Sequence, residues 1–165
     1  MTKFMTATLA LIISSATLAN PEITINTKQL YAGAGLNYNR IDSSTLGGPD
    51  GDATGLQVFA GYKMGNRNGF DIASEIGLIQ SDEWYNGSRE DADGLWVSAV
   101  ANKGLPEIDS RLSAIARLGY GIGGDDGLFM GFGAQFKLHP QAFIRGEYLN
   151  KDLSQSFQIN AAYQF

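Results

Sequence analysis

The chain has 165 residues, 21 of them glycine, no cysteine, and a formal charge of −5. That length makes one domain, the acidic balance excludes nucleic acid as a partner, and the missing cysteine excludes disulfides and a lipid-anchored cysteine. Glycine is far above the ~7 % of ordinary globular chains, and after residue 19 no stretch approaches the ~20 apolar residues of a membrane helix.

The chain opens on Met1-Thr-Lys3, a short basic start. Phe4 to Ile13 is apolar, and Ser14 to Ala19 is small, ending in a Thr-x-Ala step before Asn20. Those three regions, in that order, are a secretory signal peptide. The apolar part is too short to span a bilayer as a helix. Residues 1–19 are therefore expected to be removed, leaving residues 20–165 as the exported domain; loss of Lys3 takes the charge from −5 to −6.

Asn20 to Gln29 is a polar lead-in. Eight amphipathic runs follow, each with the two-residue period that sends alternate side chains to opposite faces of a strand. Run one, Leu30 to Arg40, sets Leu30, Ala32, Ala34, Leu36 and Tyr38 against Tyr31, Gly33, Gly35, Asn37 and Asn39. Run two, Thr54 to Met64, sets Leu56, Val58, Ala60 and Tyr62 against Gln57, Phe59, Gly61 and Lys63. Run three, Phe70 to Gln80, sets Phe70, Ile72, Ile76 and Leu78 against Asp71, Ala73, Glu75 and Gly77. Run four, Leu95 to Lys103, has no clear parity, because Trp96 and Val100 oppose Leu95, Val97 and Ala99.

Run five, Arg111 to Gly121, sets Leu112, Ala114, Ala116, Leu118 and Tyr120 against Arg111, Ser113, Arg117 and Gly119. Run six, Leu128 to Leu138, sets Met130, Phe132, Ala134 and Phe136 against Gly131, Gly133, Gln135 and Lys137. Run seven, Gln141 to Asn150, sets Ala142, Ile144 and Tyr148 against Phe143, Arg145 and Glu147. Run eight, Ser154 to Phe165, sets Phe157, Ile159, Ala161, Tyr163 and Phe165 against Ser156, Gln158, Asn160, Ala162 and Gln164.

Each run has about the ~9–11 residues that a tilted strand needs to cross a bilayer. Lipid offers backbone groups no partners, so such a sheet must close. The fold expected is an all-β, eight-stranded antiparallel up-and-down transmembrane β-barrel, the smallest kind, with a lumen filled by side chains. Tyr38, Tyr62, Tyr120, Tyr148, Tyr163 and Phe165 sit near run ends, where aromatic girdles belong. Inward glycine with outward aromatics argues against a soluble barrel with the faces reversed.

The gaps after runs one and three are long (residues 41–53 and 81–94), and those after runs two, four and six are short. Long loops belong outside and short turns in the periplasm. The gaps after runs five and seven are short exceptions. The outer gaps are acidic, with Asp82, Glu83, Glu90, Asp91 and Asp93 in the second of them, whereas the opposite end carries Lys63, Arg67, Lys103, Arg111, Lys137 and His139.

The run Leu30-Tyr-Ala-Gly-Ala-Gly-Leu-Asn-Tyr38, the stretch Phe143-Ile-Arg-Gly-Glu-Tyr148 after a Leu-His-Pro turn, and the ending Phe157 to Phe165 carry a resemblance. Together they resemble the small outer-membrane barrels of the OmpA transmembrane domain and the OmpX/Ail group, over nearly the whole exported chain. The resemblance covers the barrel alone, so the peptidoglycan-binding role of full-length OmpA is not carried over. It implies the outer membrane as location, with its lipid and lipopolysaccharide as surroundings, and a monomer. Tyr163 and Phe165 look like the terminal signal read by the barrel insertion machinery.

The resemblance also implies a lumen network of Arg and Glu that gates small ions, here Glu75, Arg117, Arg145 and Glu147. The plainer reading, a structural plug, is favoured because eight-stranded interiors are filled. Lys103 joins the network only if run four takes the opposite parity. The second long gap offers Asp82, Glu83, Trp84, Tyr85, Glu90, Asp91 and Asp93 as contacts for a host or surface ligand, with membrane-interface anchoring the favoured reading for Trp84 and Tyr85. Asp50-Gly-Asp52 and Glu90 to Gly94 echo calcium loops but lack the full ligand set, so no metal or cofactor is expected. Lipid-modifying barrels use a His–Ser dyad; His139 has no serine at strand spacing, and catalysis needs that proximity. The expectation is a non-enzymatic barrel that contributes to envelope structure or surface adhesion, with a narrow ion channel second and a lipid-modifying enzyme third.

Overall fold

The computed structural model describes residues 26–41, 51–81, 93–123, 127–151 and 154–165. A single 3-10 turn, Thr27–Gln29, leads into eight strands: β1 Leu30–Ile41, β2 Gly51–Arg67, β3 Phe70–Ser81, β4 Gly94–Gly104, β5 Leu112–Gly123, β6 Gly127–His139, β7 Ala142–Lys151 and β8 Ser154–Gln164. Each strand pairs antiparallel with the next, and β1 pairs with β8, so the sheet closes in sequence order. The eight expected runs are the eight strands.

Strand β2 is longer than its run. Gly51 stands opposite Ile41 at one end, and Arg67 stands opposite Phe70 at the other. The expected five-residue turn is thus mostly ladder, with a bulge between Lys63 and Gly65. A two-residue turn closes it, Asn68 and Gly69, both at positive φ (53° and 83°). Asn-Gly suits that mirror-image turn because neither residue resists the left-handed region.

The barrel is inside-out relative to a water-soluble protein. Leu36, Leu56, Met130, Phe132 and Ile159 are exposed on its outer wall, whereas Asn37, Gln57, Glu75, Arg117, Arg145 and Glu147 are buried in the lumen. An apolar belt of that extent suits hydrocarbon rather than water. Phe132, Tyr148, Phe157 and Tyr38 are successive register partners on four neighbouring strands, a continuous aromatic row near the end opposite the chain termini. In strand β4, Trp96, Ser98 and Val100 point inward while Val97 and Ala99 point outward. Lys103 therefore lies on the outer wall, with its ammonium 5.2 Å from the centre of the Phe70 ring, and takes no part in the lumen.

Large inward rings are accommodated by glycine on the next strand. Trp96 is the register partner of Gly77, and Tyr31 of Gly61. A Cβ on Gly77 would lie 2.4 Å from the Trp96 ring and 2.8 Å from the Val58 carbonyl oxygen. The ring covers the glycine backbone and fills the narrow lumen. Gly77→Ala is expected to cost about 1–3 kcal/mol by overpacking, read as a lower urea midpoint in lipid vesicles.

Candidate functional site

The site is the middle of the lumen. Glu75 comes from β3, Arg117 from β5, and Arg145 and Glu147 from β7. All four occupy inward positions of their strands, and all four are buried. Closure of the barrel brings them together across as many as 72 residues of sequence, although only Arg145 and Glu147 share a strand.

The quartet is two cations and two anions, so its formal charge sums to zero. Arg117 meets Glu147 through two parallel bonds, Nε to Oε1 at 2.8 Å and Nη2 to Oε2 at 3.0 Å. Its Nη2 also stands 2.8 Å from Glu75 Oε2. Arg145 Nη1 donates to Glu75 Oε1 at 2.8 Å and lies 3.7 Å from Glu147 Oε2. Each arginine is thus within ion-pair reach of both carboxylates. Taking one such ion out of water costs several kcal/mol unless partners replace its hydration; here every charge has an ion-pair partner, although Glu75 Oε2 and Arg145 Nε make no hydrogen bond among the described residues.

A neutral shell completes the replacement. Tyr31 donates its hydroxyl to Glu75. Arg117 Nη1 donates to Ser98 Oγ at 3.0 Å, Arg145 Nη2 to Gln135 Oε1 at 3.3 Å, and Asn160 Nδ2 to Glu147 Oε2 at 3.4 Å. Aromatic faces take the guanidinium planes: Arg117 lies 5.1 Å from the Trp96 ring centre, and Arg145 lies 5.2 Å from Phe143 and 5.9 Å from Phe59. Sequence reasoning found the four charges by parity. It missed this shell, since Tyr31, Phe59 and Phe143 stood on runs' polar faces with no stated role.

Two recesses flank the quartet. Above the quartet, at the end away from the termini, a recess of about 20 Å³ reaches Arg117, Trp96 and Phe129. Below it, a recess of about 50 Å³ reaches Arg145, Tyr31 and Phe143. The arginines and their rings stand between the two.

The other expected site residues fare differently. Asp82, Glu83, Trp84, Tyr85, Glu90 and Asp91 lie outside the described residues. Asp93 accepts the Ser81 backbone N–H at 2.6 Å and so ties the base of that gap to β3. Tyr163 and Phe165 pack edge to face with centroids 5.9 Å apart, and the Phe165 N–H donates to the Leu30 carbonyl at 3.0 Å, part of the β1–β8 closure. His139 is exposed, and its Nδ1 accepts the Gln141 N–H at 3.5 Å; no serine side chain joins it among the described residues. In the turn after β4, the Arg111 side chain and backbone N–H hold the Asp109 carboxyl below the usual carboxylate range. No group of histidine and acidic side chains among the described residues is arranged to hold a metal ion.

Comparison with known proteins follows the same lines. A family model described as outer membrane protein beta-barrel domain matches residues 5–165. Neisserial surface protein A is similar in structure, with a TM-score of 0.55 at 17% identity over 83% of this chain and 97% of that one. The attachment invasion locus protein Ail of Yersinia pestis gives a TM-score of 0.54 at 19% identity over 82% and 97%. A de novo designed transmembrane β-barrel gives 0.58 at 14% identity over 82% and 94%. Identities this low carry the fold alone. Among curated proteins, none matches the sequence.

Proposed function

The chain belongs to the outer membrane protein β-barrel domain family, and from that premise we propose that it is a non-enzymatic barrel of the outer membrane, closed to ions at rest, which contributes to envelope structure and surface contact. The observation that carries this is the packing at mid-lumen. Two buried Arg–Glu pairs, boxed by Trp96, Phe59 and Phe143, separate the recesses at the two ends of the lumen. The long gaps after β1 and β3 are then the outward-facing segments, and the basic end faces the periplasm.

Ail has been solved in complex with the heparin analogue sucrose octasulfate, a polyanion. The segment between β3 and β4 here carries Asp82, Glu83, Glu90, Asp91 and Asp93 against the single Arg89. Like charges facing each other across an interface suppress binding. The surface partner that fits these loops is cationic, and a sulfated glycan does not fit. Neutralising the five acidic positions to Asn and Gln should abolish salt-sensitive capture of cells by a polylysine-coated surface and leave the fold intact.

A gated pore is the second reading, favoured by one feature. Both arginines reach both glutamates, so the pairs can exchange partners without stranding a charge. Planar-bilayer recording of the purified barrel separates the two. The closed plug predicts no steady unitary current from the wild type. A steady current whose amplitude changes in Arg145→Ala would establish the pore and overturn the plug. Residues 1–19 as a signal peptide would be checked in the same preparation, by amino-terminal sequencing that begins at Asn20.

A further inference from the structure

We propose that the mouth of the lumen on the side of the chain termini is a binding site for a small oxyanion, a phosphate or carboxylate group. The recess there, about 50 Å³, is lined by the donors Lys63, Lys137, Ser113, Gln135 and Arg145 and by two acceptors, the Asp71 carboxylate and Asn102 Oδ1, which has no partner among the described residues. Lys63 from β2 and Lys137 from β6 bring two ammonium groups to it. Ser113 brings a hydroxyl, and Gln135 brings an amide whose oxygen is already committed to Arg145. Arg145 closes the inner end. It is 1 % exposed, and its Nε–H has no partner among the described residues although both of its Nη groups do. A buried guanidinium N–H left over in a polar recess calls for an acceptor.

The charges point the same way. The quartet at the inner end of the recess sums to zero. Of the charges added at the mouth, two are lysines and one is Asp71, and Asp71 Oδ1 accepts the amide of its register partner Asn66 at 2.8 Å. Lys63 donates to the neutral Gln164 side chain, and Lys137 has no anionic partner among the described residues. The mouth thus holds a net positive charge, with N–H and O–H donors among the residues that line a partly desolvated cup. Phosphate and carboxylate have the acceptor number to use them. The recess is too small for a sugar or a peptide side chain beyond its terminal group.

The test is equilibrium dialysis of radiolabelled inorganic phosphate against the full-length mature barrel, refolded in uncharged detergent at ionic strength fixed with sodium chloride. Folding of every variant is confirmed first by its heat-modifiable gel shift. Saturable uptake of one phosphate per barrel is expected, weakened at least about tenfold in Lys63→Gln/Lys137→Gln. Lys103→Gln, on the outer wall, should bind like the wild type. If the double variant does not fold, Lys137→Gln and Ser113→Ala singly should each weaken uptake. Acetate that displaces the label would identify carboxylate end-groups as the source, and failure to displace it would identify phosphoryl groups. No saturable uptake by the wild type, or equal losses in Lys103→Gln and the recess variants, would overturn the site.

Discussion

Arg145→Ala is expected to cost the folded barrel about 3–5 kcal/mol, the penalty for leaving a buried charge without its partner. Truncation strips Glu75 of its 2.8 Å bond to Nη1 and leaves that carboxylate shared between Tyr31 and Arg117. It also empties the slot between the Phe59 and Phe143 rings. Charge and volume are lost together, so a second variant is needed to tell them apart. Glu75→Met/Arg145→Met removes a matched pair and refills the space, while the Arg117–Glu147 pair stays bidentate. Exchanging a buried ion pair for apolar side chains of similar volume is often neutral, so the double variant should recover most of the loss. The measurement is urea unfolding from phospholipid vesicles, with the temperature of the gel-mobility shift as a second readout. A loss below about 1 kcal/mol in Arg145→Ala would mean that water solvates the quartet. That would also undo the closed plug and favour the pore.

The strands and their order were legible because the lipid face is chemically uniform. Every second residue of run six from Leu128 to Leu138 is apolar, and no soluble surface demands that. Parity alone then put Glu75, Arg117, Arg145 and Glu147 on the lumen side. Run four resisted for a physical reason. Trp96 and Val100 are buried inside, so both faces of β4 are apolar and alternation loses its contrast. Its orientation is set non-locally, by Gly77 standing opposite Trp96 and by Arg117 needing Ser98 and the indole face. The partners within the quartet were illegible for the same reason. They depend on the stagger between strands, which a single strand does not encode. The length of β2 was missed although its signal was present: Asn68-Gly69 is a two-residue hairpin turn, and reading it as one extends the ladder to Arg67.

Ile76→Arg should be the most damaging single change on the outer wall. Ile76 follows Glu75 on β3 and points the opposite way; it is 49 % exposed, whereas Glu75 is 3 % exposed. It sits midway along the strand, which runs from Phe70 to Ser81, and so midway through the apolar belt. An arginine at the bilayer midplane of such a barrel costs about 2–4 kcal/mol, falling to about 0–1 near an interface. Gln80→Arg, on the same face four residues nearer the far rim, should therefore cost little. The pair of variants measures the solvent of the wall directly, because both residues share strand, face and backbone geometry and differ in depth. In water the two would behave alike, each within about 0.5 kcal/mol of the wild type as surface substitutions usually are. A steep difference in vesicle unfolding places the middle of β3 in hydrocarbon. The neighbouring Glu75, one residue along the chain, then holds its charge there only because Arg117, Arg145 and Tyr31 stand in for water.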